Sequence, residues 1–238
     1  MKIVVIGAGL IGTSIALGAK RIGSEVELID ADGRAEALAN DLASGQKVPD
    51  PDLVVIATPT SALEAVIDRF KNMYPKSTFI DIGSTKTKVQ VEVNKNSDFA
   101  RRFCPTHPMA GRELDGAEAA QGDLFEGRSW IITPLAVTSE NSKALARELI
   151  ESLGARVIEM SVADHDAAVA TISHLPQVIS SLLAAQLIGK PTEYLALAGS
   201  GVLDTTRIAG SNPDLWREIL NLNRDALVPL LKNFQKDL

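Results

Sequence analysis

Cysteine is almost absent: Cys104 is the only one in 238 residues. An intrachain disulfide is therefore impossible, and so is a zinc site built on paired cysteines. Histidine is scarce too, with only His107, His165 and His174, which narrows the metal sites open to the chain. Aromatic residues reach 4%, so the core has to be built from Ala, Val, Ile and Leu. A basic surplus is missing. Lys and Arg number 24 against 30 Asp and Glu, leaving a net charge of −6, the wrong sign for a protein whose main partner is nucleic acid. Long apolar runs are also missing. The stretch Met1–Ala19 superficially resembles a targeting peptide, but Gly7, Gly9, Gly12 and Gly18 break it, with Thr13 and Ser14 inside. The alanine-rich segment after Ala163 is interrupted by His165, Asp166, His174 and Pro176. Both fall short of the roughly 20 clean apolar residues of a membrane span, and a soluble cytoplasmic protein is the expectation.

What is present is ordinary for a globular chain: 45% hydrophobic and 23% charged residues. Short β-branched runs alternate with helical patterns through the first two thirds. Strands are expected at 2–6, 25–29, 52–57, 78–82, 129–133 and 156–159, and helices at 10–22, 34–43, 61–71 and 140–153. Such alternation indicates βαβ units and a parallel sheet. No strand is expected after Met160. There a helix over 163–188 is expected to kink at Pro176, followed by a short helix at 192–198 and a loop with a short turn at 200–211. A last helix starts at Asn212-Pro213 and runs toward the C-terminus. The chain thus divides into 1–160 and 161–238. No Gly/Ser linker, internal repeat or low-complexity tract separates or punctuates the two parts.

Gly7-Ala8-Gly9-Leu10-Ile11-Gly12 is a G-x-G-x-x-G motif between an expected strand and an expected helix, the context a dinucleotide site requires. Gly7 allows the tight turn, Gly9 lets backbone approach a pyrophosphate, and Gly12 lets helix and strand close up. The pyrophosphate would sit on the helix N-terminus. Asp30 ends the next strand, where a carboxylate can accept from both ribose hydroxyls. It would repel a 2′-phosphate, an effect that Arg34 partly offsets, so NAD is expected ahead of NADP. Leu10, Ile11 and the Thr58-Pro59 step after the third strand complete the expected cofactor contacts.

His107 lies in Pro105-Thr-His-Pro-Met-Ala-Gly111, which reads as a rigid, proline-bounded loop holding either a general base or a purely structural histidine. Ser84-Thr85-Lys86 follows the strand at 78–82. Ser84 is placed either to orient an imidazole or substrate hydroxyl, or to cap a helix, a role Thr85 can also fill.

These segments occur in order with Asp164-His165-Asp166, Ser173-His174-Leu175-Pro176 and Asp204-Thr205-Thr206-Arg207. Together, over nearly the whole chain, they resemble the prephenate/arogenate dehydrogenase family of tyrosine biosynthesis. The resemblance implies an α/β fold: a Rossmann-type dinucleotide-binding domain followed by an all-α dimerisation domain, acting as a homodimer on a small-molecule substrate. It implies that His107 is the catalytic base at the ring C4 hydroxyl, that Ser84 partners it, and that Arg207 grips a substrate carboxylate. Asp204 and Trp216 fall near that arginine, and Glu113 falls on an acidic position lining or gating the pocket. Arg112 stands where some relatives have a small residue and adds a cation. Gln177 stands where some members carry a ligand-contacting histidine. His165 is read as helix packing or capping. The helical part is short for the family, so a trimmed or rearranged dimer interface is expected near Leu238, with no appended regulatory domain. Two rival readings remain. One is a β-hydroxyacid-type dehydrogenase relying on a lysine in the helical part, where Lys190, in a Gly-Lys-Pro turn, is the only lysine between Lys143 and Lys232. The other is a non-catalytic NAD-binding regulator, which has no reason to keep His107, Ser84 and Arg207 together.

Overall fold

The computed structural model describes residues 1–110 and 116–237. Contacts divide the chain into Met1–His165 and Asp166–Leu238. The first unit is built on a seven-stranded sheet of order β2-β1-β3-β4-β5-β6-β7. Its strands are β1 (Lys2–Ile6), β2 (Glu25–Ile29), β3 (Leu53–Ile56), β4 (Thr78–Asp81), β5 (Phe103–Pro108), β6 (Ser129–Ile132) and β7 (Arg156–Glu159). Helices α1 (Leu10–Arg21), α2 (Gly33–Leu42), α3 (Leu63–Phe70), α4 (Thr87–Val93), α5 (Ser97–Arg101) and α6 (Glu140–Ser152) connect them.

The sheet's centre is apolar on both faces, as parallel strands covered by helices require. Ile3, Val5, Leu53 and Val55 pack into one core, while Val4, Ile6, Val54 and Ile56 pack into the other. That is the period-two alternation of a pleated strand. The scarce aromatics are spent here. Phe70, Phe79, Phe99, Phe103, Phe125 and Trp130 are all buried, and the Phe79 and Phe99 rings meet edge-on at 5.0 Å.

Strands β2-β1-β3-β4-β5 are parallel, but β6 runs antiparallel to β5, with His107 opposite Ile131. The sheet is therefore mixed rather than wholly parallel. The segment around His107 is a strand, not the loop its prolines suggest. The chain leaves β1 toward β2 on one side and returns to β3 on the other. This reversal opens a crevice at the carboxyl ends of β1 and β3, the usual ligand position in such sheets.

In the second unit the long helix is one run in three parts. Helix α7 (Val162–Val169), which carries the boundary between the units, passes into a π-helical turn at Ala170–His174 and then α8 (Leu175–Ala185). The expected kink at Pro176 is taken up by this turn. The proline ring cannot lie against the carbonyl four residues back, Ile172, in α geometry, and the wider turn relieves the clash. By length and composition Val162–Ala185 is apolar enough to cross a membrane. Its His165 and His174 are nonetheless buried and bonded to protein groups.

After α9 (Thr192–Leu195), the expected loop at 200–211 is helical. It comprises α10 (Ser200–Thr206) and a 3₁₀ turn at Arg207–Gly210. The last helix breaks into α11 (Pro213–Leu222) and α12 (Arg224–Asp237) at Asn223, whose side chain leaves the helical pattern to bond the Asp166 carbonyl at 2.8 Å and His174 Nδ1 at 3.0 Å. Asn212 caps α11 through the backbone N–H groups of Asp214 and Leu215.

Candidate active site

The glycine motif lies between β1 and α1, at the mouth of the crevice. Gly7 has φ +112°, and a side chain on it would meet the Ala57 carbonyl oxygen at 2.4 Å. At Gly12 a Cβ would meet the Gly7 carbonyl oxygen at 2.0 Å. At Gly9 a Cβ meets no atom of the other described residues beyond its chain neighbours within 4 Å. Gly9 caps α1 without a side-chain hydrogen bond, so the first amides of that helix face outward as an anion site. Thr58, just beyond β3, has a buried hydroxyl without a hydrogen-bond partner among the described residues. Such an orphaned group beside a glycine cradle fits the polar backbone of a dinucleotide.

Gly9→Ala is therefore expected to leave the melting temperature unchanged and to raise the Kd for NAD+ about 5- to 150-fold, for a steric cost of about 1–3 kcal/mol. Gly12→Ala is expected to lower the melting temperature itself. Thermal melts and NAD+ titrations of the two variants check the contrast.

Asp30 follows β2 at the crevice. Its Oδ2 accepts from the Ala8 amide at 2.6 Å and its Oδ1 from the Asp32 amide at 2.8 Å. The carboxylate is thus oriented by the turn it faces, and each oxygen has a second lone pair for a ribose hydroxyl. The Asp30 amide in turn donates to Glu36 Oε2 at 2.9 Å. Two carboxylates at this corner disfavour a 2′-phosphate, while Arg34 is exposed. Leu10 is buried and Ile11 half-buried in the first turn of α1, whereas Pro59 is exposed and caps the 3₁₀ turn Thr60–Ala62.

At the same edge of the sheet, β4 ends at Asp81, opposite Pro105. One residue further along β5, Thr106 has no main-chain neighbour on that side, and side chains continue the ladder in its place. Asp81 Oδ1 accepts from the Thr106 amide at 3.2 Å, and the Lys86 ammonium donates to the Thr106 carbonyl at 2.6 Å. Lys86 and Asp81 also pair with each other, fully buried. The Thr106 hydroxyl donates to the Asp81 carbonyl at 2.6 Å and accepts from Trp130 Nε1 at 2.9 Å. Every polar group of Thr106 is held, and His107 is the next residue.

The His107 ring presents Nδ1 to Nε2 of His165 at 2.9 Å, with the rings 65° apart. His165 sits in the first turn of α7. That turn is capped by Ser161: its Oγ accepts from the Asp164 amide at 3.1 Å and donates to the Asp164 carboxylate at 2.7 Å. His165 is fully buried, and besides packing in the helix its ring meets that of His107. Its pairing with His107 spans 58 residues. The sequence signal available for it was the Ser-x-x-Asp cap that fixes where α7 begins.

Ser84 lies half-buried in the turn after β4, at the same sheet edge as His107. Neither it nor Thr85 caps α4, whose cap residue is Lys86. The Thr85 hydroxyl is buried and unpartnered among the described residues. Cys104, on β5, is buried, and burial pushes its thiol up to about 12, which removes it as a nucleophile.

The remaining expected residues belong to the second unit. Gln177 is buried and donates to the Ile208 carbonyl at 3.0 Å, tying the turn that carries Arg207 to α8. Arg207 and Asp204 are exposed, three positions apart. Trp216 is half-buried, edge-on to His174 at 6.0 Å. With Gln177 it lines a cavity of about 370 Å³. Arg112 and Glu113 lie outside the described residues.

Two family models match the sequence: "Prephenate dehydrogenase, nucleotide-binding domain" over residues 15–159 and "Prephenate dehydrogenase, dimerization domain" over 161–238. The chain is 33% identical to the cyclohexadienyl dehydrogenase of Zymomonas mobilis, over 99% of its own length and 85% of that protein's. It spans about two thirds of the length of other curated relatives. The crystal structure of prephenate dehydrogenase from Aquifex aeolicus in complex with hydroxyphenyl propionate and NAD+ superposes with a TM-score of 0.89 at 27% identity, covering 100% of this chain and 87% of that one. The arogenate dehydrogenase of Synechocystis gives 0.84 at 28% identity, covering 100% and 89%.

Proposed function

The chain belongs to the prephenate dehydrogenase family, and from that membership we propose that it oxidatively decarboxylates prephenate, arogenate or both, with His107 as the base. The observation that carries the reading is the position of His107. It stands at the carboxyl edge of the sheet that bears the dinucleotide crevice, with one ring nitrogen held by His165 and its backbone held through Thr106.

When bound, NAD+ accepts the hydride from ring C4. The protein's part is to move and hold a proton. His107 Nε2 takes the C4 hydroxyl proton as the C–O bond becomes a carbonyl. The bond to the ring carboxylate then breaks and CO2 leaves. Its electron pair enters the ring, which becomes aromatic, and the ring oxygen takes back a proton, the one His107 holds. The product is 4-hydroxyphenylpyruvate from prephenate or tyrosine from arogenate. The crevice glycines, Asp30 and the Thr58 hydroxyl bind and orient the dinucleotide, and Ser84 contributes to orienting the imidazole or the substrate hydroxyl. NADH formation, followed with both substrates and with NAD+ or NADP+, tests the reading. Activity with NAD+ is expected, and no turnover of either substrate would overturn it.

On the family pattern, Arg207 grips a substrate carboxylate through a bidentate guanidinium, with Asp204, Trp216 and Gln177 shaping that end and Arg112 and Glu113 lining the pocket. Arg207→Ala is expected to raise KM about 10- to 150-fold, the loss of a charge-assisted contact of about 1.5–3 kcal/mol. Initial-rate measurements at saturating NAD+ check this, and an unchanged KM would remove Arg207 from the site.

The second unit exposes Ile172, Leu182, Ile188, Tyr194, Leu197 and Leu203, an apolar surface suited to a second copy of the chain. Light scattering should give twice the monomer mass.

A further inference from the structure

The contact between the two histidines has a direction, and chemistry fixes it. Two ring nitrogens 2.9 Å apart hold one proton between them: one is an N–H and the other a bare lone pair. If His165 Nε2 were the donor, His107 would carry its own proton on Nε2. That nitrogen would then be a donor, unable to take a hydroxyl proton. If His107 Nδ1–H is the donor, its Nε2 is the lone pair the reaction needs. The second arrangement also survives the reaction. Once His107 is protonated on both nitrogens, its Nδ1–H still meets an acceptor, whereas the first would bring two N–H groups together.

We propose that His165 is a positioning residue: its buried Nε2 accepts from His107 Nδ1–H and so selects the tautomer, and fixes the ring orientation, in which His107 Nε2 can take the substrate's hydroxyl proton. The inference rests on the dehydrogenase reading above for what the His107 proton does. The placement of His165 follows from the chain itself. The cap formed by Ser161 and Asp164 sets the first turn of α7, and the His165 amide bonds the Ser161 carbonyl at 2.9 Å. The side chain is therefore delivered by a rigid turn rather than by a loop.

The test compares the native enzyme with His165→Phe and His165→Gln. Phenylalanine keeps the ring volume and removes the acceptor, while glutamine carries an amide oxygen that can reach the place of Nε2. His165→Phe is expected to lower kcat about 10- to 100-fold, as loss of an outer-shell orienting partner commonly does, with the KM for prephenate and the Kd for NAD+ within about two-fold of native. His165→Gln is expected to recover most of that loss. An unchanged kcat in His165→Phe overturns the proposal, and so does an equal fall in both variants or a KM that rises as kcat falls. Nitrogen-15 spectra of the labelled native enzyme give an answer independent of whether the variants fold. A protonated Nδ1 on His107 and a bare Nε2 on His165 support the proposal, and the reverse pattern overturns it. A native enzyme inactive on both prephenate and arogenate would sink the reading of function, while the nitrogen spectra would still report the tautomer.

Discussion

Replacing His107 by asparagine is expected to lower kcat by about two to four orders of magnitude, the usual contribution of a positioned acid–base group, with the Kd for NAD+ within about two-fold of native. Asparagine is close to histidine in size and can hydrogen-bond, but its amide does not accept a proton near neutral pH. The backbone at this position is held independently of the side chain, because the clamp acts on Thr106. The glycine turn and Asp30, proposed to hold the pyrophosphate and ribose of NAD+, lie at the ends of β1 and β2, away from β5. Loss of the imidazole should thus register in turnover alone. NADH formation under saturating substrate, set beside an NAD+ titration of the same preparation, measures both. An equal loss in the two would contradict the role of base.

Replacing Lys86 by methionine is expected to cost about 3–5 kcal/mol, the penalty for leaving a buried charge without its partner. For a domain of this size that corresponds to a fall in melting temperature of about 6–20 °C. Asp81 keeps a carboxylate in the interior with its ammonium gone, and the Thr106 carbonyl loses its donor. The variant should also turn over more slowly than its folded fraction accounts for, since the strand end bearing His107 is no longer pinned on that side. Adding Asp81→Asn to Lys86→Met removes the stranded charge and should recover part of the stability without restoring turnover. Thermal melts and kcat for the two single variants and the double variant separate the charge penalty from the loss of positioning.

The parts of the fold and site that were legible in the sequence are those whose chemistry is local. Gly7, Gly9 and Gly12 sit within six residues of one another, and the turn they form needs little from the rest of the chain. Asp30 is readable because it closes the neighbouring strand. The strand around His107 was not, because Pro105 and Pro108 argue against a ladder. It exists because β4 and β6 both pair with it, and beyond the end of β4 the Asp81 and Lys86 side chains hold Thr106 in place of a neighbouring strand. The His107–His165 contact was hidden for a related reason: it joins elements far apart in sequence, and a histidine on a helix carries no mark of what it faces. The break at Asn223 likewise follows from bonds to Asp166 and His174, which no local pattern in 213–237 announces. Propensity and capping describe that segment as one helix, and tertiary bonding divides it.

The π turn at Ala170–His174 holds one residue more than α geometry would allow over the same span. Each residue of an α-helix advances the azimuth by about 100°. That extra residue therefore sets the rotational phase of everything in α8 relative to α7. Buried Gln177 and Ser180 and exposed Leu182 owe their facing to it. Through Gln177 so does the anchoring of the Arg207 turn. These five residues act as the index mark by which one stretch of helix is dialled against the next.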